Sequence, residues 1–266
     1  MRPWPESLAV PEDLRGLLTT LLADLARQER VRAVFAGGSL AAGTADRWSD
    51  LDLHLLTEPG FEVLAWVTGL VRTVIADTLP GVAGGHLLVT PDWLHVDLIV
   101  HDVDDALDDL PRVVLLDKDD RLDDIAPAPS STEPYWPVGR PEVFCYFVGN
   151  LVAVAGRGEW LAASAGTAMM RDQWLVPLML AENGVRKNDG AKRLNRYLTA
   201  EQHSALAAIG PIGVDEASVL RAQQGIVGEY LRRGRRLAEQ TGTLWPAAVE
   251  QAALAVWERE LGLRPH

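Results

Sequence analysis

The chain predicts an α+β protein in two parts, with strands and helices interleaved over residues 1–130 and helices alone over residues 131–266. Three observations carry that prediction. Short apolar runs with the alternation of strands recur as far as Leu116. The composition then changes to Ala-Pro-Ala-Pro-Ser-Ser-Thr-Glu-Pro-Tyr-Trp-Pro over residues 126–137, which reads as a linker. Beyond it the apolar residues recur with a period near 3.6 instead of two.

Residues 11–28 place Leu14, Leu17, Leu18, Leu21, Leu22 and Leu25 at helical spacing behind Pro11 and Glu12, which suit a first turn. A strand follows over 32–36, within the apolar run Val31 to Ala36, and ends in Gly37-Gly38-Ser39. A second strand holds Asp50-Leu51-Asp52-Leu53-His54. Pro59-Gly60 precedes a predicted helix over 61–78, closed by Pro80-Gly81. The runs 86–90 and 94–100, joined through Pro91-Asp92, make a hairpin. The acidic run 102–109 reads as a solvated helix face and 112–116 as the last strand. Helices are predicted over 142–155, 161–182, 200–209, 215–240 and 246–261.

The stretch from Val34 to Leu56 holds the chemistry. Successive side chains of a strand point to opposite faces, so Asp50, Asp52 and His54 share one face while Leu51, Leu53 and Leu55 share the other. Two carboxylates so placed form a hard-oxygen site that suits Mg²⁺, which takes one or two carboxylates together with substrate phosphates. Gly38 allows close backbone approach to a phosphate, and Ser39 offers a hydroxyl at a helix start. Asp97 lies between Val96 and Leu98, a charge embedded in an apolar strand that calls for a partner or a metal. His54 and His95 read as site-lining or structural residues, since no zinc-type His-Glu-x-x-His spacing is present.

Composition narrows the function classes. The net charge is −12, about −14 before Tyr135 and about +2 from there on. That balance disfavours a stable nucleic-acid binder, which needs clustered Lys and Arg, and an acidic cleft favours a cationic small substrate. No run approaches the length of a membrane span, and the first residues have neither a basic n-region nor an apolar h-region, so a cytoplasmic protein is expected. Cys145 is the single cysteine and reads as a buried small hydrophobe. Lys192 and Arg193, in a basic cluster with Lys187 and Arg196, are candidates for holding a phosphate. The run Arg232-Arg233-Gly234-Arg235-Arg236 reads as a solvated face or a salt-bridge donor to the acidic half.

Gly38-Ser39, ten intervening residues and Asp50-Leu51-Asp52 resemble the signature of the polymerase-beta-like nucleotidyltransferase superfamily. Within it the chain looks most like the antibiotic nucleotidyltransferases of the lincosamide type and, more distantly, the aminoglycoside enzymes. Gly156-Arg157-Gly158-Glu159, Arg171-Asp172-Gln173 and Glu182-Asn183-Gly184 extend the likeness into the helical part. The resemblance implies a nucleotidyltransferase domain with a mixed β-sheet flanked by helices over 1–130, then a helical bundle over 131–266 that closes the cleft and binds the acceptor. It implies an adenylyltransferase-type enzyme moving a nucleoside monophosphate from a nucleoside triphosphate, ATP first, to a hydroxyl of a small molecule, with release of pyrophosphate. A lincosamide is the first choice of acceptor and an aminoglycoside the second.

In the resembling enzymes a third acid stands beside the Asp pair as metal ligand or as base for the acceptor hydroxyl, and Asp97 matches that position. Glu159 reads either as a substrate contact or auxiliary base, or as a polar helix-turn residue. Two other readings stay open: a toxin-like nucleotidyltransferase acting on protein or RNA, and a nucleotide-binding regulator without catalysis. Monomer and homodimer are both compatible with the sequence.

Overall fold

Leucine spacing fixes the first layer. The computed structural model describes residues 8–105, 107, 109–128, 131–137, 139–187 and 192–265. In helix α1 (Glu12–Leu25) the side chains of Leu14, Leu18, Leu21, Leu22 and Leu25 are all buried. They pack with Leu51, Leu53 and Leu55 of β2 (Leu51–Thr57) and with Val96 and Leu98 of β5 (His95–Asp102). Alternation therefore works as the sequence predicts, with leucines against the helices and Asp52 and His54 on the opposite face. That opposite face carries its own small cluster of Ala33, Phe35 and Leu56.

The sheet is mixed and six-stranded. With β1 (Val31–Ala36), β3 (Ile75–Thr78), β4 (Gly85–Val89) and β6 (Val113–Asp117), the order is β3-β4-β5-β2-β1-β6. The pair β2·β5 is parallel and the other neighbours are antiparallel. Two short helices complete this part, α2 (Gly38–Ala41) and α3 (Val63–Leu70).

Two predicted helices are corrected. The helix expected over 61–78 ends at Leu70, and residues 75–78 form the edge strand β3, paired with β4 from Ile75↔Val89 to Thr78↔His86. Val71, Thr73, Val74 and Ile75 are β-branched, and a free sheet edge offers their backbone a ladder that helical spacing alone does not reveal. The acidic run is not a helix in its described part. Asp102 accepts from the Asp104 amide and Asp105 from the Asp102 amide, the side-chain-to-backbone bonding by which aspartates favour turns over helix.

The described residues fall into two compact units divided between Pro129 and Ser130. The second is helical, with α4 (Pro141–Gly156), α5 (Trp160–Met170), α6 (Val176–Glu182), α7 (Ala200–Ile209), α8 (Glu216–Thr241) and α9 (Ala247–Leu261). A π-helical turn, Arg171–Leu175, interrupts what reads as one helix over 161–182. Trp257 is fully buried and its indole donates to the Val148 carbonyl at 2.7 Å, tying α9 to α4. Cys145 is buried too, and burial pushes its thiol up to about 11, so it is an inert packing residue.

The arginine run on α8 departs from a solvated face. Arg233 is 1% exposed and bonds Glu182 at 2.7 Å, Glu229 at 2.8 Å and Glu201 at 2.5 Å. Its neighbours pair within the same unit, Arg236 with Glu182 and Arg235 with Glu250. Burial alone lowers the guanidinium pKa, but the bonds to Glu201 and Glu182 outweigh it and leave the group firmly charged. The partners are acids of the helical unit and not of the acidic half.

Truncating Arg233 to Ala removes the buried cation from the network and leaves Glu182, 8% exposed, to Arg236 alone and Glu201 and Glu229 to Arg232. Breaking a buried pair typically costs about 3–5 kcal/mol and the remaining cations put this break at the low end, so urea unfolding of Arg233→Ala should show a stability lower by about 3 kcal/mol and a correspondingly lower midpoint. In the first unit the Trp66 indole, then Arg27 and Gln28, hold Asp24 down to about 2. A carboxyl depressed from its ordinary value of 3.8 adds stability above that pH, lost as the pH falls toward 2. Trp66→Phe should flatten this acid limb, read by fluorescence melts between about pH 5 and 2.

Candidate active site

Strand β1 ends at Ala36, and the Gly37 amide continues its pairing by donating to the Asp52 carbonyl at 3.0 Å. Gly37 and Gly38 are required by what lies against them. A Cβ on Gly37 would stand 2.7 Å from His54 Nε2, and one on Gly38 would overlap the Asp52 carboxylate. Gly38 also has φ +50°, a conformation that other residues seldom adopt. The backbone here is pressed against the Asp52 side chain, and only glycine permits that approach.

Ser39 follows in the single turn of α2. Its Oγ is buried and has no hydrogen-bond partner among the described residues. A buried hydroxyl without a partner is uncommon and marks a place where a ligand oxygen would be satisfied. The loop then returns through Asp46, whose carboxylate accepts from the Trp48 amide at 2.9 Å, while the Asp46 amide donates to Ser49 Oγ at 2.9 Å. These bonds set the loop that delivers Asp50 to the start of β2.

Parallel pairing brings the third acid in. Asp52 stands opposite Asp97 in the β2·β5 register. Asp50, Asp52 and Asp97 each offer a carboxylate oxygen within 4.8 Å of the others, all half-buried. Three acids this close repel one another, which a divalent cation relieves, and an all-oxygen set suits Mg²⁺ more than a transition metal. The donor set, the glycine-backed approach and the unpartnered Ser39 hydroxyl together fit a metal-bound polyphosphate.

Beneath the triad lies a layer of rings. His54 Nδ1 is 2.8 Å from His101 Nε2, and His54 stacks on Phe35 at 4.6 Å with planes 9° apart. Burial, with His101 adding to it, pushes His54 down to about 4, so both rings are neutral near pH 7. His101 and Phe35 were not legible as site residues, because the contact exists only through the pairing of β2 with β1 and β5. The Asp46-x-x-Ser49 spacing was the available signal for the ordered loop.

The remaining sequence candidates lie in the helical unit. Glu159 is exposed at the N-cap of α5, its amide bonded to the Val154 carbonyl and its side chain making no cap bond. Arg193, at φ 57°, leads into a 3₁₀ turn, Leu194–Arg196, and the Lys192 carbonyl accepts from Lys187 Nζ at 2.6 Å.

No protein-family profile and no curated protein matches the chain. Among solved structures, an aminoglycoside 6-adenyltransferase from Bacillus subtilis is similar with a TM-score of 0.36 and 15% identity, over 90% of this chain and 97% of that one.

Gly38→Ala should move the Asp52 carboxylate and strain the turn. We expect a loss of about 1–3 kcal/mol in stability and a fall of tenfold or roughly more in affinity for Mn²⁺, a paramagnetic stand-in for Mg²⁺ measurable by water-proton relaxation.

Proposed function

We propose that the chain is a Mg²⁺-dependent nucleotidyltransferase that moves a nucleoside monophosphate from a nucleoside triphosphate to a hydroxyl of a small molecule. The observation that carries this reading is the approach of Asp50, Asp52 and Asp97 within 4.8 Å on neighbouring parallel strands, beside the Gly38-Ser39 turn with its unpartnered hydroxyl. Phosphoryl transfer asks of a protein mainly positioning and charge neutralisation, and this site offers both.

Asp50 and Asp52 would hold the magnesium, which when bound neutralises the triphosphate and the charge that develops on the oxygens in flight. Gly38 and Ser39 cradle the β- and γ-phosphates through the backbone and the free hydroxyl. The acceptor oxygen attacks the α-phosphorus, the bond to the leaving pyrophosphate breaks, and Asp97 takes the hydroxyl proton. Lys192 and Arg193 are assigned to the triphosphate and Glu159 to the acceptor, with ATP as the first nucleotide. The acceptor class assigned is an antibiotic, a lincosamide first and an aminoglycoside second.

The test incubates the full chain with Mg²⁺, α-labelled ATP or GTP, and a lincosamide, an aminoglycoside, bulk RNA or protein as acceptor. Mass addition of one nucleoside monophosphate to a small acceptor, with stoichiometric pyrophosphate, is expected. Asp52→Asn should lower the rate by about 10³-fold or more, since it removes a ligand essential to charge neutralisation. Label on RNA or protein alone would overturn the small-molecule reading.

A further inference from the structure

The hairpin joining β4 to β5 carries a residue that its own geometry disfavours. The Trp93 amide donates to the Thr90 carbonyl at 2.9 Å, the Thr90 amide to the Leu94 carbonyl at 3.0 Å, and the Leu94 amide to Thr90 Oγ1 at 3.1 Å. Pro91 occupies the position that proline prefers in such a turn. The last loop residue must then take a left-handed conformation, the usual place for glycine. Here it is Trp93, at φ 63° and 67% exposed. Strain of this kind is held in place by the surrounding structure and clusters at ligand clamps and active sites, and so exposed a ring repays little of it by burial.

The indole does not point at random. It meets the His95 ring edge-on at 5.9 Å, and His95 shares its strand face with Asp97, two residues on. The sheet order places β4, β5, β2 and β1 side by side, so the Gly38-Ser39 turn at the end of β1 and the Trp93 turn lie on opposite sides of the triad. On the nucleotidyl-transfer reading, on which this inference rests, the attacking and leaving oxygens stand in line across the phosphorus. A pyrophosphate held on the β1 side leaves the β5–β4 side to the attacking hydroxyl.

We propose that Trp93, backed by His95, is the platform on which the acceptor ring rests, and that it selects a hydroxylated ring bearing an amino group. An indole face packs against the apolar face of a ring and attracts a cation. Asp92 beside it reinforces a preference for positive charge.

The experiment compares wild type, Trp93→Gly and Trp93→Phe in the full chain, with MgATP and two probes: an aminoglycoside, and the same compound with its amines acetylated. Trp93→Gly should raise the acceptor KM about tenfold with kcat changed less than about threefold, and leave the Kd for MgATP unaltered. It should also raise Tm by about 2–4 °C, because glycine relieves the left-handed strain. Trp93→Phe should keep most of the acceptor affinity, and acetylation should weaken the wild type far more than Trp93→Gly. An acceptor KM within twofold of wild type would overturn the platform, as would a MgATP Kd that rises in step with it or a fall in Tm. If wild type transfers nucleotide to no small acceptor, lincosamide included, the functional reading falls and the platform with it. Transfer by wild type with an unmoved KM in Trp93→Gly removes the platform alone.

Discussion

The parallel pairing of β2 with β5, in the register that sets Asp52 opposite Asp97, is the constraint on which the rest of the first unit depends. It assembles carboxylates that repel at short range, by about 4 kcal/mol per pair at 4 Å in a surface-like dielectric. The opposing stabilisation lies on the other face of the same strands. Leu51, Leu53, Leu55 and Leu98 are fully buried there against α1, and a slip of one residue would turn them to solvent. Burial of four leucines, each worth roughly 1.5–3 kcal/mol, is of the same order as that repulsion and holds the register against it.

That economy extends to the backbone around the acids. Gly37 and Gly38 exist because His54 and Asp52 occupy the space a side chain would need. His54 in turn is held by Phe35 and His101, whose stacking keeps it buried and neutral.

The helical unit is organised differently, around one buried arginine. Arg233 collects Glu182, Glu201 and Glu229 from α6, α7 and α8, and Gln202 adds bonds to Glu182, to Asn183 and to the Met179 carbonyl. Glu182 and Asn183 are therefore held in this internal network. Fully partnered polar clusters of this kind specify one packing of helices, where apolar contacts alone would allow several.

Much of this was legible in the chain. Alternation gave the faces of β2 and β5, period 3.6 gave α1 and the helical half, and the spacing of Gly38-Ser39 and Asp50-Leu51-Asp52 gave the turn and strand that set these residues side by side. These are local signals, carried by neighbours in sequence. The helix expected through Thr78 failed because a sheet edge recruited β-branched residues, and the arginine run was misread because Arg233 finds its acids 32 and 51 residues away. The sequence by itself determined which residues are glycine, acid and leucine, and so which chemistry the site offers. The tertiary structure brings the Asp97 carboxylate to Asp50 and Asp52, where the resemblance had set it, and it alone decided that His54 meets His101 and that Trp93 takes a left-handed turn conformation, because these depend on which strand lies next to which and on how the chain turns between them.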